Sequence, residues 1–175
     1  NYVALIGDEP WNGADDKSAK VSVMWDDENL YMHSEVTDDV YFQNQSAQNS
    51  WQCDGIQFGL LVDTGEEAFT AIGQANTVFN EFAIALLPDG KTVETYRHKA
   101  QFDRTPTGLC EKAKGAAVRN GNKTYYEWSM PWEDIVGIKG WKPQVNQKLG
   151  FSIMWNDNDG NGRKGWIEYA SGIGR

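Results

Sequence analysis

The chain has 175 residues, 40% hydrophobic and 23% charged, and 25 acidic against 16 basic side chains leave a net charge of −9. That length suits one sizeable core rather than two, so a single domain over residues 1–175 is expected. The acidic balance repels nucleic-acid phosphates and anionic membranes, and no apolar run approaches the ~20 residues a membrane helix needs.

In chain order, Val21, Val23 and Trp25 alternate with polar neighbours up to the polar turn Asp26–Asn29. Leu30–Val36 then resumes the period-two pattern, which predicts a hairpin. Ile56–Val62 is a near-continuous apolar run bounded by turn residues, the signature of a strand buried on both faces. Val78–Leu87 reaches the turn Pro88-Asp89-Gly90, and Thr92–Tyr96 reads as its return strand. Val118–Arg119, Asn120-Gly121-Asn122 and Tyr125–Met130 form a further hairpin around an Asn-Gly turn. Pro131–Ile135 starts a short helical turn, with Pro in the first turn and acids favoured by the dipole. Leu149–Trp155 and Trp166–Ala170 are strands joined by the polar loop Asn156–Gly165. At least eight strands and no long helical period predict an all-β chain, an antiparallel β-sandwich or jelly roll.

Two features carry chemistry. Asp157, Asp159, Asn161, Gly162 and Glu168 fit the spacing of a calcium loop, offering hard oxygens and a sharp bend. The flanks read as strands, so the alternative is a polar hairpin loop without metal. Trp51 lies in the polar segment Asn49–Gln57, ahead of a buried strand, where an indole either lies open at a sheet rim or folds back over the core. An open ring would stack on the C–H face of a sugar while Asp, Gln, Asn and Arg bond its hydroxyls. The eight Trp, seven Tyr and seven Phe of the chain leave rings to spare for such a role. Cys53 and Cys110 allow one pairing and match no redox or zinc motif.

Catalysis has little support. Glu35, Glu81, Glu94 and Glu127 lie on predicted strands, but their spacing selects no acid–base pair. His33 and His98, the two histidines, accompany no nucleophile motif.

The blocks KVSVMWDDENLYMHSEVTDD, WQCDGIQFGLLVD, YYEWSMPWEDI and LGFSIMWNDNDGNGRKGWIEYA, spanning about Lys20 to Ala170, resemble in order and spacing a family 9 carbohydrate-binding module or a close DOMON-like relative. The resemblance implies a β-sandwich with structural calcium and no catalytic residues, attached to a glycoside hydrolase. It also implies a secreted protein that directs its enzyme to β-glucan, cellulose or xylan, or to their chain ends. By position it implies that Trp51 is a wall of an aromatic clamp, and that Asp38, Gln57 (where the family usually has Glu) and Asn80 bond hydroxyls. Calcium would fall to Asp157, Asp159, Asn161 and Glu168. Trp25 and Trp132 match core positions, and Trp155 and Trp166 are either a replacement platform or plain packing. A polysaccharide or oligosaccharide partner, no nucleic acid, no membrane and a monomer complete the expectation, with flanking segments removed from the chain's ends. The DOMON relationship raises haem as an alternative. Adjacent Met32 and His33 point to opposite faces of a strand and cannot share an iron, which leaves Met24 or Met32 with His98.

Overall fold

The computed structural model describes residues 2–4, 10–62, 79–99, 105–170 and 173. Two antiparallel sheets face each other. Strands β1 (Tyr2–Ala4), β4 (Gly55–Val62), β5 (Phe79–Leu86), β6 (Val93–Lys99), β7 (Gly108–Leu109), β10 (Leu149–Asp157) and β11 (Gly165–Glu168) form a seven-stranded sheet in the order β1-β11-β10-β4-β5-β6-β7. Strands β2 (Lys17–Trp25), β3 (Asn29–Asp38), β8 (Lys114–Asn120) and β9 (Lys123–Pro131) form a four-stranded sheet in the order β2-β3-β9-β8. The start of the predicted strand at Val78 lies outside the described residues.

The sequence pattern explains the layering. β3 and β9 bury every second residue, so one face of the four-stranded sheet is wet, whereas β4 is buried almost throughout, as its apolar run requires. Phe58 on β4 stacks on Phe82 at 4.9 Å and meets the edge of Trp128 at 5.1 Å, which centres the core between the sheets. Two indoles tie the layers with satisfied N–H groups, since burying such a donor without a partner would be costly. Trp128 donates to Thr95 Oγ1 at 2.9 Å, and Trp155 donates to Ser34 Oγ at 2.9 Å. Trp155 is therefore a core residue.

The turns follow local chemistry. Asp26 accepts from the backbone N–H of Glu28 and Asn29, closing the first hairpin, and Gly121 supplies the φ of 60° that the two-residue turn between β8 and β9 needs. α1 (Trp132–Val136) begins after Pro131 and ends on left-handed Gly137, whose N–H caps Glu133 O. Trp132 is 1% exposed, as expected of a core position, but Trp25 is 65% exposed. Its alternation places it on the inner face of β2, yet β2 is the sheet's edge strand and the ring ends up in solvent. Cys53 and Cys110 are both free thiols.

Candidate functional site

Four strand ends converge at one end of the sandwich. Lys17 opens β2, Asp38 closes β3 directly opposite it, Asp54 precedes β4, and Asp157 closes β10. Lys17 Nζ lies 2.5 Å from Asp38 Oδ2, 2.6 Å from Asp54 Oδ1 and 3.7 Å from Asp157 Oδ1, with all four side chains buried. Lys164 makes a second node, 3.0 Å from Asp16, 3.1 Å from Asp159 and 3.8 Å from Asp157. Burial, the largest effect, pushes Asp54 up to about 8 against the pull of Lys17, and Asp157 up to about 6. Lys17 is raised above its usual value, because the three carboxylates outweigh the burial penalty. Five carboxylates thus share two ammonium groups.

Beside this cluster, a short 3-10 turn (Ala47–Gln52) carries Trp51. The half-buried indole lines a cavity of about 480 Å³ with Phe42, Gln45, Asn158, Gly160 and Arg163. The loop after β10 is pinned to that turn. The Asn158 side-chain amide donates to Gln52 O at 2.8 Å, and its backbone N–H donates to Asp54 Oδ1 at 3.3 Å. Arg163 lies between two indoles, its guanidinium carbon 5.2 Å from the Trp51 ring centre and 4.5 Å from that of Trp166. Trp166 itself packs with Leu61, Met154 and Ile173 and donates to Glu168 at 3.1 Å.

The residues implied by resemblance separate on this frame. Trp51 lines the cavity. Gln57 is buried behind it, accepting from Asn156, which in turn accepts from Arg163 Nη2 at 2.6 Å. Asp38 belongs to the ion cluster. Asn80, opposite the core residue Leu60, is wholly buried on the other face of the sheet from Gln57 and accepts from Thr105. Asp157 and Asp159 come together with Asp38, their carboxylate oxygens within 4.8 Å of one another. Glu168 pairs with Met154, three residues along β10 from Asp157, and Asn161 sits exposed in the loop.

The other candidates are dispersed. Glu35 pairs with Lys123 at 2.5 Å, Glu81 with Lys99 at 3.1 Å, and Glu94 accepts from the backbone of Ala47. Met32 is in the core, Met24 is exposed on the outer face of its sheet, and His98 sits beside Tyr96 on the other sheet, rings 5.0 Å apart. Asp16, Asp54, Arg163, Lys17 and Lys164 are not marked by the sequence. A cation in a polar loop or at a strand start looks solvated, and nothing in the spacing marks it as buried.

The family model described as carbohydrate family 9 binding domain-like matches residues 3–174. The chain belongs to this family. Among relatives, an exoglucanase XynX from Acetivibrio thermocellus is 26% identical over 165 residues, 94% of this chain and 13% of that protein. An endo-1,4-beta-xylanase A from Thermoanaerobacterium saccharolyticum is 27% identical over 146 residues, 83% of this chain and 9% of that protein. The carbohydrate-binding module thus spans a small fraction of these relatives. A family 9 module from Caldicellulosiruptor kristjanssonii, solved with glucose, superposes with a TM-score of 0.64 at 17% identity, covering 93% of this chain and 72% of that one. This likeness establishes the β-sandwich fold of the module.

Proposed function

We propose that the module is a non-catalytic, secreted, monomeric unit that holds an attached glycan-active enzyme against β-glucan or xylan. The observation that carries this is the Trp51 indole beside a cavity of about 480 Å³, which also receives polar groups from Gln45, Asn158 and Arg163. A pyranose would lay its C–H face on the ring and direct hydroxyls to these groups. Hydroxyl–protein bonds replace hydroxyl–water bonds with little net gain, so affinity per module is modest and the benefit is a raised effective concentration of the enzyme at its substrate. The exoglucanase and xylanase relatives support this choice of partner enzyme. Calorimetric titration with cello- and xylo-oligosaccharides tests it: Trp51→Ala should weaken binding by about tenfold or more, and unchanged binding would overturn the assignment.

Calcium belongs to the same proposal. Asp38, Asp157 and Asp159 offer three converging hard oxygens, and among the described residues Asp159 Oδ1 is buried without a hydrogen-bond partner. Five carboxylates against two lysines leave a negative excess that a dication would offset. These three residues would hold the ion, whose work is to fix the loop after β10. A ligand bound to the folded state alone raises stability, so added chelator should lower the melting temperature and added calcium restore it. Equal melting curves in both conditions would remove calcium from the proposal.

A further inference from the structure

Among the described residues, no carboxylate pairs with the buried Arg163. It is 7% exposed, and among those residues its Nε is buried with no hydrogen-bond partner and its guanidinium makes one hydrogen bond, from Nη2 to the neutral amide of Asn156. The neighbouring lysines are placed otherwise, since Lys17 and Lys164 each contact at least two carboxylates. Buried Arg97, at a different pocket, shares the unpartnered Nε but has both terminal nitrogens on carbonyls, Pro106 at 3.2 Å and Asp134 at 2.5 Å. Burial lowers Arg163 to about 10.

Burying a charge without a partner is costly. The faces of Trp51 and Trp166 recover part of that cost through cation–π attraction, but they leave the edges of the guanidinium, which carry its donors, without an acceptor of opposite charge. Those donors form a planar fork suited to a carboxylate, and Arg163 lines the same cavity as Trp51.

We propose that this cavity takes a uronic acid carried on a glycan, its carboxylate on the Arg163 guanidinium and its neighbouring pyranose against Trp51. The assignment rests on the carbohydrate-binding reading and names its ligand class. The chain's net charge of −9 disfavours a polyanionic glycan, while screening beyond roughly 8–10 Å at physiological salt leaves a single local charge pair intact. A neutral backbone with isolated uronate branches therefore fits better than a polyuronate.

The test compares three oligosaccharides of one xylose backbone length at about 0.15 M salt: unsubstituted, bearing one glucuronic acid, and bearing that branch with its carboxyl reduced to the alcohol. The wild-type module should bind the acid form roughly tenfold or more tightly than the other two, as expected for a charge-assisted bidentate contact. That preference should vanish in Arg163→Gln, whose fold is checked by its melting curve. Acid and reduced forms binding within twofold of one another, or a preference that survives in folded Arg163→Gln, would overturn the proposal. The carboxyl-reduced ligand makes the wild-type comparison decisive even where the variant fails to fold. Binding of the neutral backbone without an acid preference would sink the uronate assignment alone, and binding of none of the three, nor of a cello-oligosaccharide titrated alongside, would sink the carbohydrate reading as well.

Discussion

Lys17 does at the residue level what a bound ion does elsewhere: it lets carboxylates from different strands approach in a dry environment. Asp38, Asp54 and Asp157 all lie within 3.7 Å of its ammonium, so removing the charge leaves buried carboxylates repelling one another. Lys17→Met should cost about 3–5 kcal/mol in urea unfolding, and adding Asp54→Asn should recover part of it. A midpoint equal to wild type would show that the cluster is not stabilised by this pair. Of the cluster's acids, Asp157 and Asp159 were readable from their calcium-like spacing and Asp38 from the family resemblance, but Asp16, Asp54 and the cationic partners were not. A lysine at a strand start has the same letter whether it reaches water or folds inward, and which of the two it does depends on strands more than twenty residues away.

At the level of elements, periodicity carried most of the fold. β3, β4, β9 and β10 follow from alternation or from continuous apolar runs, because those patterns reflect which faces are covered. The 3-10 turn bearing Trp51 has no period, and Ala47 in it adopts a positive φ, so its geometry was not legible. Trp25 shows what alternation leaves open. Alternation assigns a side chain to a face but does not say whether the opposing layer extends that far, and at the end of edge strand β2 it leaves the ring uncovered. Trp132, by contrast, donates to Asp26 O at 3.1 Å and packs on Trp141 at 5.5 Å. Trp132→Ala should therefore lose about 3–5 kcal/mol of stability and Trp25→Ala within about 0.5 kcal/mol, measured on the same denaturant curves. Equal losses would mean that Trp25 is covered in solution.

For the molecule as a whole, stability must depend on pH through groups that burial perturbs. His98 is held below its usual value by burial, the largest effect, with Lys99 adding to it and Glu81 opposing. Its neutral form is favoured in the folded state, so between the folded value and about 6.5 the unfolded chain binds more protons and stability rises with pH. Acidification from 7 should therefore erode this contribution, and His98→Gln should flatten that part of the stability profile; a slope unchanged by the substitution would exclude His98 as its source. The two-sheet architecture was legible as a class, while the meeting of β2, β3, β4 and β10 at one end was not, since only the folded topology brings those termini together. Asn158 joins the ion cluster to the turn bearing Trp51 at that end, with its backbone on Asp54 and its side chain on the carbonyl of Gln52. The wall proposed to meet the sugar is thus bolted to the electrostatic knot. On the proposed function, a guest arriving there would find its socket already tied down and forfeit little entropy on docking, so loosening the knot would slacken the grip without touching the proposed sugar contacts.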